Sequence, residues 1–203
     1  MRNRATLIIF LRAPQSGAIK RRLARDIGDG PAQRFYVATS RALIRRLGAD
    51  HRWRTVLAVT PDAFAGRARF WPRDTARIKQ GQGDLGARMG RVFEQLPPGP
   101  VVLVGSDIPG IRPNHVAAAF AALARHEAVF GPAVDGGYWL VGLARRRYGV
   151  RALARRMFRD VRWSGPHALA DTQAGLPAGA EAPPLDVLED VDDAAGYDRF
   201  RQS

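Results

Sequence analysis

The chain contains no cysteine. That excludes disulfides, thiolate nucleophiles and the thiolate zinc sites that staple many small domains. Histidine is sparse: His51, His115, His126 and His167 fall at no metal-ligand or catalytic-triad spacing, so imidazole chemistry is not expected. Long apolar runs are missing too, with none approaching the ~18 residues needed to cross a bilayer. Arg2 and Arg4 imitate the start of a secretory leader, but Arg12 and Pro14 interrupt the apolar stretch and no small-x-small cleavage site follows. A cytoplasmic protein without a membrane span is the expectation. Lysine is the most telling shortage: of 32 basic residues only Lys20 and Lys79 are lysine, leaving 32 − 2 = 30 arginines. Such a bias fits GC-rich codon usage, so the formal net charge of +13 is not by itself a binding surface.

What is present describes a globular chain. Its 203 residues suit one domain spanning 1–203, enough to bury about 70% of the unfolded surface. The basicity raises nucleic-acid binding as a hypothesis. The arginine clusters at 21–25, 41–46, 67–77, 145–147 and 151–162 are scattered, however. No zinc finger, ribonucleoprotein aromatic box or helix-turn-helix accompanies them. Nonspecific adhesion to polyanions, abolished by salt, is expected; a specific nucleic-acid partner is not.

Short apolar runs alternate with amphipathic segments. Strands are predicted at 6–11, 55–60, 76–80, 100–104, 127–131 and 138–142, and helices at 19–26, 31–47, 84–96, 113–125, 148–158, 165–174 and 193–201. Pro31, after Gly28-Asp29-Gly30, is predicted at a first helical position. The stretch 175–184, rich in Pro and Gly, looks like a linker. The alternation predicts an α/β fold of three layers, a mainly parallel sheet with helices on both faces. Ligands of such sheets bind beyond the carboxyl ends of the strands.

Candidate site residues cluster where those strands end. The run Leu7–Leu11 passes through a Pro/Ser/Gly loop into Lys20, Arg21 and Arg22, an electropositive helix start suited to phosphate. A lysine retained in an arginine-dominated chain stands out, as a compact charge on a flexible stem. Val101–Val104 runs into Gly105-Ser106-Asp107-Ile108-Pro109-Gly110, which sets Asp107 just past a buried strand. A carboxylate there can bind a divalent cation through hard oxygen or cap the following turn. A second acidic run, 186–193, precedes the last helix, with Asp193 as a candidate N-cap. If Asp192 approaches Asp107, the two repel by ~4 kcal/mol at 4 Å and an effective dielectric of 20. A bound Mg²⁺ or Mn²⁺ would reverse that sign.

Gly81-Gln82-Gly83-Asp84-Leu85-Gly86 spells G-x-G-x-x-G, with Asp107 following 107 − 86 = 21 residues later. A nicotinamide site is nonetheless disfavoured. The preceding strand is weak, and Asp84 would repel a pyrophosphate. A flexible loop near a nucleotide base or ribose, with Asp84 capping the helix, fits better. Asp135-Gly136-Gly137-Tyr138-Trp139 reads as a tight turn, or as a place where backbone approaches a ligand. Trp163-Ser164 reads as an aromatic anchor and an N-cap.

Together these segments resemble the nucleotide-diphospho-sugar transferase superfamily, the A-type glycosyltransferase fold. More closely they resemble a bacterial family labelled arsenosugar-biosynthesis-type glycosyltransferases. The resemblance rests on Ala13-Pro14-x-x-Gly17-x-x-Lys20-x-Arg22-Leu23, Gln82-Gly83-Asp84-Leu85-Gly86-x-Arg88-Met89, Gly105-Ser106-Asp107-x-Pro109-Gly110, Asp135-Gly136-Gly137-Tyr138 and Asp190-Val191-Asp192. It implies nucleotide binding by Ala13, Pro14, Gly17, Lys20, Arg22, Gly83, Asp84 and Ser106. It also implies a metal on Asp107 and Asp192, catalysis by Lys20 and Asp107, and an acceptor near Asp135, Gly136, Gly137, Tyr138, Trp163 and Ser164. Departures are Ser16 for a usual proline, Arg21 for a threonine, and Asp193-Ala194 for Thr-Pro. None of them removes a charge that the mechanism needs.

The expected function is a Mg²⁺- or Mn²⁺-dependent transferase that uses a nucleotide-activated donor and a small-molecule acceptor. Glycosyl transfer from a nucleotide-sugar is placed first. Nucleotidyl transfer from an NTP with pyrophosphate release, as in the similar phospholactate guanylyltransferases and molybdopterin-cofactor nucleotidyltransferases, is the alternative. A basic nucleotide- or nucleic-acid-binding protein without activity is the non-enzymatic reading.

Overall fold

Successive side chains of the first strand leave for opposite faces of a sheet, and both faces are covered. The computed structural model describes residues 5–14, 19–66, 70–145 and 150–202. Its six strands are β1 (Thr6–Arg12), β2 (Arg54–Thr60), β3 (Ala76–Lys79), β4 (Val101–Gly105), β5 (Ala128–Pro132) and β6 (Tyr138–Leu143), in the order β3-β2-β1-β4-β6-β5. Parallel ladders join β3 to β2, β2 to β1 and β1 to β4, whereas β6 runs antiparallel to both β4 and β5. The sheet is therefore mainly parallel, as expected, with one reversed strand.

On one face Leu7, Ile9 and Leu11 join Leu57, Val59, Val102 and Val104 beneath α2 (Asp29–Gly48) and α4 (Pro113–Ala122). On the other, Ile8 joins Val56, Ala58, Val101 and Leu103 beneath α3 (Leu85–Gln95) and α5 (Val150–Met157). This period of two turns near-continuous apolar strands into a sheet buried on both sides. The remaining helices are α1 (Arg21–Ile27), α6 (Ala168–Ala174) and α7 (Ala194–Gln202). Among the described residues no helix is long and apolar enough to cross a membrane.

Three local expectations are corrected. Helix α2 starts at Asp29, so Pro31 is its third residue and not its first; the position still costs nothing, because the first four helical N–H groups lack intrahelical partners anyway. Ser164 is not an N-cap: it has φ of 63° in the preceding loop, and α6 begins at Ala168. Nor is 175–184 a linker. Ala180 and Ala182 are buried, and the strap they begin follows the outer edge of β5. Ala182, Leu185 and Leu188 donate their N–H groups to the carbonyls of Ala128, Phe130 and Pro132, which blunts an otherwise open sheet edge.

This strap positions the site. It ends with Val191 donating its N–H to the Asp107 carbonyl at 3.3 Å, which draws the acidic run to the end of β4. Asp193 then caps α7, its Oδ1 accepting from Gly196 N at 2.8 Å. Helix α7 docks on α2 through edge contacts of Phe35 with Tyr197 and Phe200.

Candidate active site

The chain leaves β1 and β4 in opposite directions along the sheet, and a crevice opens at their carboxyl ends, the usual ligand position in such folds. The inner part, about 400 Å³, is walled by β1, β4, α3 and β6, within the range of small-ligand pockets. Lys20 and Asp107 meet there. Lys20 Nζ lies 2.6 Å from Asp192 Oδ1 and 3.5 Å from Asp107 Oδ1. The Lys20 side chain is 4% exposed, whereas Asp107 keeps 46% of its side-chain surface open. Lys20 sits in the left-handed region, φ 52°, as the N-cap of α1, which brings its stem inward.

The same cavity is lined by Arg12, Tyr36 and Gln80, which were not candidates from the sequence, and by Arg88, which the family motif contains without an assigned role. Gln80 is buried, and its Nε2 donates to the carbonyls of Leu11 and Ala58. That leaves its Oε1 to accept from Arg88 Nη1 at 3.1 Å, holding the guanidinium at the cavity wall. Tyr36 fixes the end of β1: its hydroxyl accepts from Arg12 N at 2.9 Å and donates to Arg12 O at 2.8 Å. Burial, with the nearby Asp107 charge, pushes the Tyr36 phenol up to about 12, so it remains a donor. Desolvation and the adjacent Arg12 charge lower the pKa of Arg88, and the Asp84 charge offsets only part of that.

Of the residues implicated in nucleotide binding, Lys20 and Ser106 line this cavity. Ala13 is buried and donates its N–H to Thr60 O at 2.7 Å, and Pro14 accepts from Gln33 Nε2 at 2.9 Å. Both shape the exit of β1. Arg22 is exposed on α1 outside the cavity wall, although its charge helps to lower the pKa of Asp192. Asp84 caps α3, accepting from Ala87 N at 2.7 Å, and with Gly83 stays outside the inner cavity. Gly17 and Ser16 lie outside the described residues.

A second chamber of about 360 Å³ adjoins the first and shares Leu85, Gly105, Asp107, Tyr138 and Trp139 with it. Asp135, Gly137, Trp163, Ser164, Asp190 and Asp192 also line it. The proposed acceptor segments therefore converge. Gly136 has another role: with φ of +83°, a Cβ there would lie 2.4 Å from the Pro166 carbonyl oxygen. The turn must pass against the 164–167 loop, which only glycine allows.

Electrostatics separates the carboxylates. Burial raises the pKa of Asp107, and Lys20 offsets only part of that. For Asp192 burial, the largest single cause, acts in the same direction, but the Lys20 ammonium, a hydrogen bond with Asp190 and the Arg22 charge together outweigh it and the pKa falls. Burial and then the Asp192 charge push Asp190 up to about 6. Asp107 Oδ1 is buried and makes no hydrogen bond among the described residues, its charged contact being the 3.5 Å approach of Lys20 Nζ. A carboxylate oxygen held by so long a contact, next to a second carboxylate, fits a hard divalent cation. Among the described residues no group of three or more His, Cys, Asp or Glu side chains forms a ready cage. Asp107 and Asp192 would thus hold Mg²⁺ or Mn²⁺ together with water and substrate oxygens.

One pH effect follows in metal-free buffer. Asp190 binds its proton more tightly in the folded state than in the unfolded chain. Its contribution to stability is fully present below about pH 4 and is lost as pH rises towards the folded value of about 6. Asp190→Asn should abolish that part of the decline and raise stability at pH 7.5 by about 1 kcal/mol, the two-unit shift being halved because the group is only half-buried. Thermal denaturation from pH 4 to 8 measures it, and an unchanged profile would refute it.

The sequence matches no curated protein. The pattern of a bacterial family described as "Uncharacterized protein conserved in bacteria (DUF2064)" matches residues 43–165. Among solved structures, a candidate nucleotide-diphospho-sugar transferase from Desulfovibrio desulfuricans G20 superposes with a TM-score of 0.81 at 24% identity, over 94% of this chain and 83% of that one. Rv0371c from Mycobacterium tuberculosis H37Rv, in complex with manganese, gives 0.61 at 19% identity over 100% of both chains. A CMP:2-keto-3-deoxy-manno-octonic acid synthetase complexed with CTP gives 0.60 at 13% identity over 98% of both. The shared feature is the nucleotide-diphospho-sugar transferase fold.

Proposed function

The chain belongs to the bacterial family DUF2064, and we propose that it is a divalent-metal-dependent transferase that moves a glycosyl group from a nucleotide-diphospho-sugar to a small acceptor. One observation carries this reading. Lys20, Asp107 and Asp192 meet at the ends of the strands, beside a cavity that Arg12 and Arg88 also line. Three cations there would draw in a diphosphate and stabilise the charge that grows on it as it leaves. Asp107 and Asp192 would hold the metal, and the bound cation supplies further neutralisation of the diphosphate. In the transfer, the acceptor oxygen bonds to the anomeric carbon as the bond from that carbon to the diphosphate breaks. The electron pair departs with the nucleoside diphosphate, and the hydroxyl proton passes to a carboxylate of the outer chamber. Gln80 and Tyr36 act as positioning residues, through Arg88 and the Arg12 main chain.

A second reading draws on the same three cations, which also suit a triphosphate. Nucleotidyl transfer would then release pyrophosphate, and the likeness to a synthetase complexed with CTP supports keeping it in view. A thermal-shift panel of UDP-, GDP- and dTDP-sugars against NTPs, with and without Mg²⁺ or Mn²⁺, identifies the donor. Ligand at 100 times its Kd adds about 2.7 kcal/mol. Metal-dependent stabilisation followed by nucleoside diphosphate release supports glycosyl transfer, whereas pyrophosphate release supports the second reading. Stabilisation only by polyanions, lost in salt, would reject both and support a basic binding protein.

A further inference from the structure

The two chambers differ in sign. The inner one is lined by Arg12, Lys20 and Arg88 against a single acid, Asp107. The outer one is lined by Asp107, Asp135, Asp190 and Asp192, with no lysine or arginine among the described lining residues. In a chain with 32 basic and 19 acidic residues, such a wall opposes the composition. The nearest cation does not change this, because Lys20 is already engaged with Asp107 and Asp192. A divalent ion on those same two carboxylates would still leave Asp135 and Asp190 facing the chamber. The rest of the wall includes Tyr138 and Trp139, which pack into the cores on the two faces of the sheet, and the partly buried Trp163, whose Nε1 is buried with no hydrogen-bond partner among the described residues.

We infer that the outer chamber takes a neutral or cationic, hydroxyl-bearing acceptor and excludes phosphorylated and carboxylated ones. This rests on the transferase reading above. The argument is one of complementarity. A carboxylate wall accepts hydrogen bonds from several hydroxyls or from an ammonium. A phosphate monoester brought to the same wall would meet like charge at short range, with no lysine or arginine among the described lining residues to receive it and Lys20 already engaged with Asp107 and Asp192.

The test uses matched pairs on the full chain loaded with Mg²⁺ and the nucleoside diphosphate that binds best. Glucose, glucosamine, ribose and inositol are each compared with their phosphate esters, by saturation-transfer NMR for binding and by donor consumption for turnover. The neutral and amino members should bind and the esters should bind about 100-fold more weakly. Asp135→Lys, at an exposed position whose Oδ1 accepts from Gly137 N at 2.9 Å, should narrow that gap in a variant whose circular dichroism matches the wild type. An ester that binds as well as its parent sugar overturns the inference. So does the failure of every neutral and amino member to bind, or a gap that Asp135→Lys leaves unchanged. Failure of the nucleoside diphosphate itself to bind overturns the transferase reading instead, so the two failures are distinguishable.

Discussion

Asp107→Asn is expected to give a folded protein that no longer gains metal-dependent stability from nucleotide and turns over about 10³-fold more slowly, the several kcal/mol that a Lewis-acid cation contributes. The fold should survive for a specific reason. Burial disfavours the ionised Asp107, so the native protein already bears a cost that asparagine removes. Lys20 keeps its 2.6 Å contact with Asp192 and is not orphaned by the change. The two effects should leave stability without metal within about 1 kcal/mol of the wild type. Function should fall because the amide cannot supply the anionic oxygen that Asp107 Oδ1 now presents, held only by the 3.5 Å ion pair with Lys20. A thermal-shift titration with nucleotide, run with Mg²⁺ and again with EDTA, isolates the metal-dependent increment. Asp50→Asn, which only disturbs the exposed pair with Arg52, is the matched control. Retention of that increment in Asp107→Asn would remove Asp107 from the site.

The features legible in the sequence are those set by local chemistry. Leu7–Leu11 and Val101–Val104 are apolar at every position because β1 and β4 are buried on both faces, and a run of that kind needs no partner to be recognised. Asp84 and Asp193 could be read as caps because a cap bonds only three residues ahead. What stayed hidden depends on distant partners. Gln80 looks like an ordinary polar residue in a loop until Leu11 and Ala58 supply the carbonyls that fix it. Arg88 stands in the family motif, but its place in the site emerges only when Gln80 holds it at the cavity wall. The stretch 175–184 imitates a linker in composition, because the order of the strap it opens comes from backbone bonds to β5 and Asp107 and from the burial of Ala180, Ala182 and Val191, all supplied by distant segments. Lys20 and Asp192, 172 residues apart, carry no local sign that they touch, and the strap brings them into contact.

Lys20→Met should produce two effects of opposite sign. Methionine keeps much of the stem and removes the charge that now stands between Asp107 and Asp192. Without metal, the two carboxylates lose their shared counter-ion. Breaking a deeply buried pair costs about 3–5 kcal/mol, reduced here to about 1–3 kcal/mol because Asp107 and Asp192 keep 46% and 39% of their side-chain surfaces exposed. Mn²⁺ alone should then stabilise the variant more than it stabilises the wild type. In the wild type a cation must compete with the ammonium for the same oxygens, whereas in the variant it meets an uncompensated pair. Nucleotide affinity should move the other way, since one of the three cations of the inner cavity has gone. General loss of packing would weaken both ligands together, so opposite signs identify the charge as the cause. Denaturation in EDTA, in Mn²⁺ and in Mn²⁺ with nucleotide measures all three quantities on one protein. A variant that shows no larger Mn²⁺ shift than the wild type would mean that Lys20 does not occupy the position a metal would take.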